Sequence, residues 1–501
     1  MPTPKHRTRR RKVDQGPTWT AQVWAYLSPR AFFGLILLIA LLAGGVGGGQ
    51  GFLPEHLLSL LGLLLMVWSL CRVQISDAPI DRGLWLVPAL VMVLPLLQLI
   101  PLPPVLANAL PYRSVLHTDL ALSGVTWGWH PLSLNPAATE RILWGSLVPV
   151  GLYLAVWQCD RLQQRWLAMA VLYFAVASAL LGFWQLLAGP ESVWYLYKVT
   201  NVGQAVGLFA NRNHLASLLA ALLPVSAGLL ADRIRRKMDV SDPIVWALAV
   251  SMVILVLGVT ATQSRAGFAL LMLSVLATVA VLIGRGRGRL WFKRFKTWMQ
   301  VVGLVGALAI IQYTLLGLLA RLEQDPLDDI RWTLVSRTLS VAARFRGLGA
   351  GLGSFPEAYY HLGEVTADIP EVVNHAHNDY VELWLDGGVP AMLLVASMLS
   401  LIIYKVVVSI RNPAPARPVS RRVAIRDRAE SPGLVMGAGF ALLLFALHSL
   451  VDYPLRTMAL SSVAAMLLAI VMKPAKRAAG KSSVDTAELT PAAPAVESSV
   501  S

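Results

Sequence analysis

Charge is scarce in this sequence. Only 14% of its 501 residues are Asp, Glu, Lys or Arg, while 56% are hydrophobic and the mean hydropathy is +0.60. A soluble chain carries roughly a quarter charged residues, so this one lacks the polar side chains to coat a globule. Cysteine is scarce as well, with Cys71 and Cys159 alone. No cleavable leader is expected: Lys5 to Lys12 is basic, but the apolar stretch from about Ala31 has no small-residue cleavage site after it. An internal repeat is also missing, which speaks against a transporter built from inverted halves.

What the chain does have is apolar runs of membrane-spanning length, almost from end to end. About twelve spans are read, at 31–45, 52–71, 83–100, 142–158, 166–188, 214–232, 243–262, 266–284, 299–320, 387–404, 433–449 and 457–472. The fold class expected is therefore an all-α polytopic membrane protein in a phospholipid bilayer. With residues 1–30 as a basic cytoplasmic N-terminus, the inner segments hold 32 of the 43 Lys and Arg and the outer segments hold 11. That bias fixes the orientation. It also accounts for the net charge of +15 without nucleic acid, since the basic residues are scattered through short loops. Both cysteines then fall at inner helix ends, as free thiols with no outer disulfide. Residues 473–501 read as a disordered cytoplasmic tail.

Histidine runs the other way. Of nine, only His6 falls inside. Two outer segments are long, 101–141 and 321–386, and the second is rich in Asp, Glu, His and Asn. It is expected to carry the chemistry, with short amphipathic helices such as Arg331 to Phe345 at the outer interface. Helices 1–9 of the membrane region would occupy 31–320 and helices 10–12 would occupy 387–472.

The densest polar cluster is Asn374-His375-Ala376-His377-Asn378-Asp379-Tyr380. Two histidines at i and i+2 can bind a metal, act as base or decorate a loop. No cysteine or third ligand stands nearby at recognisable spacing, so no metal and no other cofactor is assigned. A neutral His can take a proton from a sugar hydroxyl near neutral pH. Arg212, in Asn211-Arg212-Asn213-His214, and Arg265, in Ser264-Arg265-Ala266-Gly267, sit on the outer side, where topology does not call for them. They can snorkel to lipid phosphates, or together neutralise a diphosphate. Gly347 to Phe355 is glycine-rich but follows no strand, so a tight turn is read rather than a nucleotide loop. Asp325, Asp328 and Asp329 are read as solvated acids. In His448-Ser449-Leu450-Val451-Asp452-Tyr453-Pro454-Leu455-Arg456, Asp452 can pair with Arg456 or orient a histidine.

At these residues the sequence resembles the O-antigen ligase and O-antigen polymerase superfamily of bacterial membrane glycosyltransferases. The motifs run in order: Phe209 to Ala216, Ser264 to Gly267, Arg331 upstream of Gly349 to Phe355, His375 to Asn378, and His448 to Arg456. Pro131 to Glu140 is similar to an outer-loop signature of these proteins, so the resemblance spans roughly 125–460. It implies a GT-C-like fold in the bacterial inner membrane, with both termini cytoplasmic and a periplasmic site. It implies an undecaprenyl-diphosphate-linked glycan as donor, without nucleotide sugar or metal, and a glycan or lipid A core as acceptor. A chain-length regulator or a flippase enters as a protein partner. The catalytic histidine maps to His377, with His375 second. The diphosphate-binding arginines map to Arg265 and Arg212, with Arg331 and Arg337 as further candidates. Asn378, Asn213, Asp452, His448 and Arg456 are supporting residues. Polymerisation of O-antigen or exopolysaccharide repeats is the reading preferred over ligation, and a polysaccharide or lipid-linked glycan transporter is the alternative of another class.

Overall fold

The computed structural model describes residues 52–75, 82–124, 128–197, 200–237, 242–283, 327–362, 373–411 and 431–474. These are overwhelmingly helical. In chain order come α1 (Phe52–Ile75), α2 (Arg82–Leu99), β1 (Pro101–Leu102), α3 (Pro104–Ala109), α4 (Arg113–Leu122), β2 (His130–Pro131), α5 (Pro136–Gln158) and α6 (Arg161–Ala188). There follow α7 (Arg212–Lys237), α8 (Pro243–Ala261), α9 (Arg265–Ile283), α10 (Leu327–Ala343), α11 (Phe355–Leu362), α12 (Asp379–Arg411), α13 (Pro432–His448), a 3-10 turn (Pro454–Arg456) and α14 (Met458–Met472). The expected spans at 31–45 and 299–320 lie outside the described residues, as do the side chains of Asp325, Asp328 and Asp329. Each of the other expected spans overlaps a helix.

Among the described residues, five helices are long and apolar enough to cross a membrane: Arg161–Ala188, Arg212–Arg235, Pro243–Ala261, Arg265–Ile283 and Asp379–Arg411. Shorter apolar helices cover His56–Cys71, Leu84–Leu99, Pro432–His448 and Met458–Met472. Local chemistry sets several starts. Asp160 and Gln163 form a reciprocal capping box at the head of α6. Asn135 caps α5 by accepting from the Ala138 amide at 3.0 Å.

At the centre stands α7, buried along nearly its whole length and packed by α13, α9, α8 and α6. Small residues let α7 and α13 touch backbone to backbone. A Cβ added at Gly437 would lie 2.2 Å from the Pro224 carbonyl oxygen, and one at Gly228 equally close to that of Gly433. Such approach is the usual source of helix adhesion where no hydrophobic effect acts between apolar helices. One turn beyond Gly228, buried Asp232 accepts the Gly433 and Leu434 amides at 2.9 and 3.0 Å, capping α13.

A second core sits at the opposite end of the helices. Leu334, Val341, Phe345, Phe355, Tyr359 and Leu385 form it, joined by Tyr112, Leu134 and Trp384. On α10 and just past it, the buried positions 334, 338, 341, 342 and 345 fall on one face, while Trp332 and Leu339 are exposed, the helical period expected from the sequence. The glycine-rich stretch is a turn, as expected, and it docks on a kink in α12, where Gly388 adopts φ 56° and ψ −149°. The Ala350 and Gly351 amides donate to the Leu385 and Asp386 carbonyls at 2.8 and 2.9 Å, and the Val389 amide returns a bond to the Gly347 carbonyl at 2.7 Å. The span expected from Gly387 is thus the later part of a helix that already begins at Asp379, behind the Asn378 cap. Cys71 is exposed, Cys159 is buried, and neither forms a disulfide.

Candidate active site

Two carboxylate clusters meet at the ends of α12 and α13, with Tyr453 between them. The first grows from α12. Asp379, Glu382 and Asp386 stand at i, i+3 and i+7, so helical geometry puts them on one face, and all three converge on Arg456. Its Nε meets Asp379 Oδ1 at 2.9 Å, and its Nη1 meets Glu382 Oε1 at 3.0 Å and Asp386 Oδ2 at 3.6 Å. Burial alone would lower the Arg456 guanidinium, but the charges of Glu382, Asp379 and Asp386 outweigh it and hold the group well above its ordinary value. His375 joins the cluster, with Nδ1 2.9 Å from Glu382 Oε1, while the Ala376 amide donates to Glu382 Oε2 at 2.8 Å.

The second cluster is built on Asp452, fully buried in the turn after α13. Its Oδ2 accepts from Asn213 Nδ2 at 2.6 Å, and its Oδ1 accepts the Tyr453 amide at 2.9 Å. His377 Nδ1 lies 3.6 Å from Oδ1, close enough for charge attraction but beyond hydrogen-bond length. Burial would raise the Asp452 carboxyl. His377 first, then His214 and His448, outweigh that effect and hold it well below the usual carboxylate range. His214 and His448 are buried there without a hydrogen bond to any ring nitrogen among the described residues.

The Tyr453 ring links the two. Its centroid is 4.3 Å from that of His375, 5.1 Å from His377 and 5.3 Å from His214. His377 adopts φ 52°, a left-handed conformation rare for a residue with a Cβ and typical of functional sites. That twist turns the two histidines toward different carboxylates although one residue separates them.

A cavity of about 1130 Å³ opens from the first cluster. Asn374, His375, Asp379, Glu382, Ser449 and Arg456 form its polar end, with Glu140 and Arg141 nearby on α5. The rest is mostly apolar, walled by residues such as Leu60 and Leu63 of α1, Val91 of α2, Leu147 of α5, Ile402 of α12 and Leu468 of α14.

The structure therefore brings together His375, His377, Asn213, His448, Asp452 and Arg456. Asn378 is adjacent, donating to the Leu450 carbonyl at 2.8 Å. Arg331 reaches the Val451 carbonyl at 3.4 Å, beside the Asp452 cluster. Arg212 and Arg265 stand at the first turns of α7 and α9, and Arg337 lies on α10; none of these three lines the cavity. The pairing of Asp452 with Arg456 does not occur: Arg456 turns to the three acids of α12, which offer more charge than one carboxylate, and Asp452 turns to Asn213 and His377. Sequence reasoning gave no role to Glu382, Asp379, Asp386, Tyr453 or His214, although Asp379, Tyr453 and His214 stand inside the motifs quoted above. The spacing of acids 379, 382 and 386 before an apolar run was the available signal. Tyr453 had none, since its role depends on contacts from three segments. Among the described residues, no three His, Cys, Asp or Glu side chains form a metal-binding group.

Residues 250–396 match the family model described as Wzy_C, O-Antigen ligase. That segment contains Arg265, Arg331, Arg337, His375, His377, Asn378 and the acids of α12, whereas Arg212, Asn213, His448, Asp452, Tyr453 and Arg456 come from outside it. Comparison with curated proteins gives no match.

Proposed function

We propose that this chain, a member of the O-antigen ligase and polymerase superfamily, is a membrane glycosyltransferase that moves a glycan from undecaprenyl diphosphate to an acceptor hydroxyl without metal. The observation that carries the reading is the lining of the cavity: a largely apolar pocket that also holds carboxylate-backed His375 and Arg456. An apolar carrier chain would lie against the helices, leaving its diphosphate and first sugar at the polar end. The histidine pair would take the proton of the attacking hydroxyl, with His377 the assignment from the motif. Arginine charge would stabilise the departing diphosphate, which needs no proton of its own. Arg265 with Arg212, Arg331 or Arg337 is the motif assignment, and Arg141 and Arg456 are the arginines on the cavity wall. In this reading the twelve-span, GT-C-like chain lies in the bacterial inner membrane with its site on the periplasmic side.

Polymerisation of O-antigen or exopolysaccharide repeats is the preferred activity, and transfer to lipid A core is the alternative. The two differ only in acceptor. Purified protein supplied with undecaprenyl-diphosphate glycan, with and without lipid A core, distinguishes them by release of free lipid diphosphate. Chain growth from donor alone identifies a polymerase, and turnover only with lipid A core identifies a ligase. Failure with several donors and both acceptors would overturn the glycosyltransferase reading and favour transport of the lipid-linked glycan.

A further inference from the structure

The carboxylate behind His375 belongs to no motif described above, yet it is buried and held on both sides. Glu382 is 1% exposed. Both its oxygens are engaged: Oε1 with His375 Nδ1 and Arg456 Nη1 at 2.9 and 3.0 Å, and Oε2 with the Ala376 amide at 2.8 Å. The bond to Ala376 fixes the backbone between the two histidines. Arg456 is fixed in turn by Asp379, which also accepts from Ser449 Oγ at 2.8 Å.

A carboxylate facing Nδ1 has a chemical consequence for the imidazole. It can only accept, so it selects the tautomer with the proton on Nδ1 and leaves the Nε2 lone pair available as base. It also stabilises the imidazolium once a proton arrives. His375, not His377, lines the cavity, and the carboxylate of His377 is 3.6 Å away, against 2.9 Å for His375. We propose that Glu382 is a positioning residue that makes His375 Nε2 the proton acceptor of the transfer reaction, a proposal that rests on the glycosyltransferase reading. In that step the acceptor O–H bond breaks and its proton goes to Nε2. The acceptor oxygen bonds the anomeric carbon, and the bond from that carbon to the diphosphate oxygen breaks, its electron pair leaving with the lipid diphosphate. The proton on His375 passes to water after the products depart.

Glu382→Gln is the informative variant. An amide has one acceptor edge where the carboxylate has two, so it cannot take the Ala376 amide on one side and His375 Nδ1–H on the other. We expect kcat to fall about 10–100-fold with KM little changed, the usual cost of removing a partner that orients an active group, and Glu382→Asp to recover part of the loss. Nitrogen-15 NMR of histidine-labelled protein in nanodiscs, assigned with His375→Gln, should show Nδ1–H for His375 in the wild type and a shift toward Nε2–H in Glu382→Gln. Unchanged kcat, or an unchanged tautomer in a folded variant, would overturn the proposal. The tautomer is read without turnover, so a wild type that transfers nothing would defeat the function while leaving the role of Glu382 to the spectrum.

Discussion

Asn213 donates to Asp452 across 2.6 Å, tying the first turn of the central helix α7 to the loop after α13, 239 residues later. The bond closes a buried carboxylate that also receives the Tyr453 amide and faces His377. Its removal should therefore loosen the whole histidine cluster. A hydrogen bond to a buried charged group contributes about 1.5–3 kcal/mol, and we expect Asp452→Asn to lower the melting temperature in detergent more than Asn213→Ala does. The pH dependence checks the sign. The Asp452 carboxyl is held below its ordinary value when folded, so its contribution is complete above the unfolded value of about 3.9 and is lost as pH falls toward the folded one. The stability difference between the wild type and Asp452→Asn should shrink as pH falls below about 4.

Much of this architecture was legible before any coordinates. Low charge and repeated apolar runs gave the helices, and the ordered polar motifs named His375, His377, Asp452 and Arg456 for one site. The partners within that site were not legible, because charge pairing is settled by three-dimensional competition. Arg456 had Asp452 four residues away, but three acids on one face of α12 outweigh it. The arginines divide likewise: Arg265 fits a motif by order alone, whereas Arg141 reaches the cavity through the register of α5, which no spacing rule supplies.

Tyr453 should act through its ring rather than its hydroxyl. Burial first, then the negative charges of Asp452 and Glu382, push its phenol well above the ordinary value, so it stays neutral throughout the working pH range. Tyr453→Phe keeps the surface against His375, His377 and His214, losing only about 1 kcal/mol for the hydroxyl's hydrogen bond. We expect activity within a few fold of wild type. Tyr453→Ala removes the ring that separates the histidines and should cost at least tenfold in release of lipid diphosphate.

Gly349 tests the seat of α12. At φ +84° it is in a conformation that disfavours any Cβ, and one added there would lie 2.6 Å from the Asp386 carbonyl oxygen. Gly124, at φ +75°, has nothing within 4 Å. Left-handed backbone alone costs about 1–2 kcal/mol, so Gly124→Ala should be mild. Gly349→Ala adds a backbone clash beside the acids that hold Arg456, and we expect it to lose activity as well as thermal stability.

The arginines can be sorted by kinetics. Alanine at a residue that binds the diphosphate equally before and during transfer raises KM, whereas loss of an interaction made only as charge develops lowers kcat. We expect Arg141→Ala, on the cavity wall, to raise KM for the donor. Arg265→Ala should lower kcat if the motif assignment holds. Arg265→Ala with wild-type kcat and KM would remove that residue from the reaction.

The cavity itself makes the last prediction. Ser461, Ala465 and Leu468 line it from successive turns of α14, so Ala465 stands roughly 10 Å along the helix from Met458 at 1.5 Å per residue. If the carrier chain lies in this pocket, a large side chain at 465 would fill its middle and leave the polar end untouched. Ala465→Trp should then turn over donors carrying a short polyprenyl chain nearly as well as the wild type does. With the full-length carrier the same variant should show a KM raised about tenfold or more, equivalent to about 1.4 kcal/mol of lost binding. Competition between short- and long-chain donors in one reaction reads the ratio directly. An unchanged preference in a folded variant would place the carrier chain on the lipid-facing surface instead, and the pocket would then need another occupant to explain the polar cluster at its end.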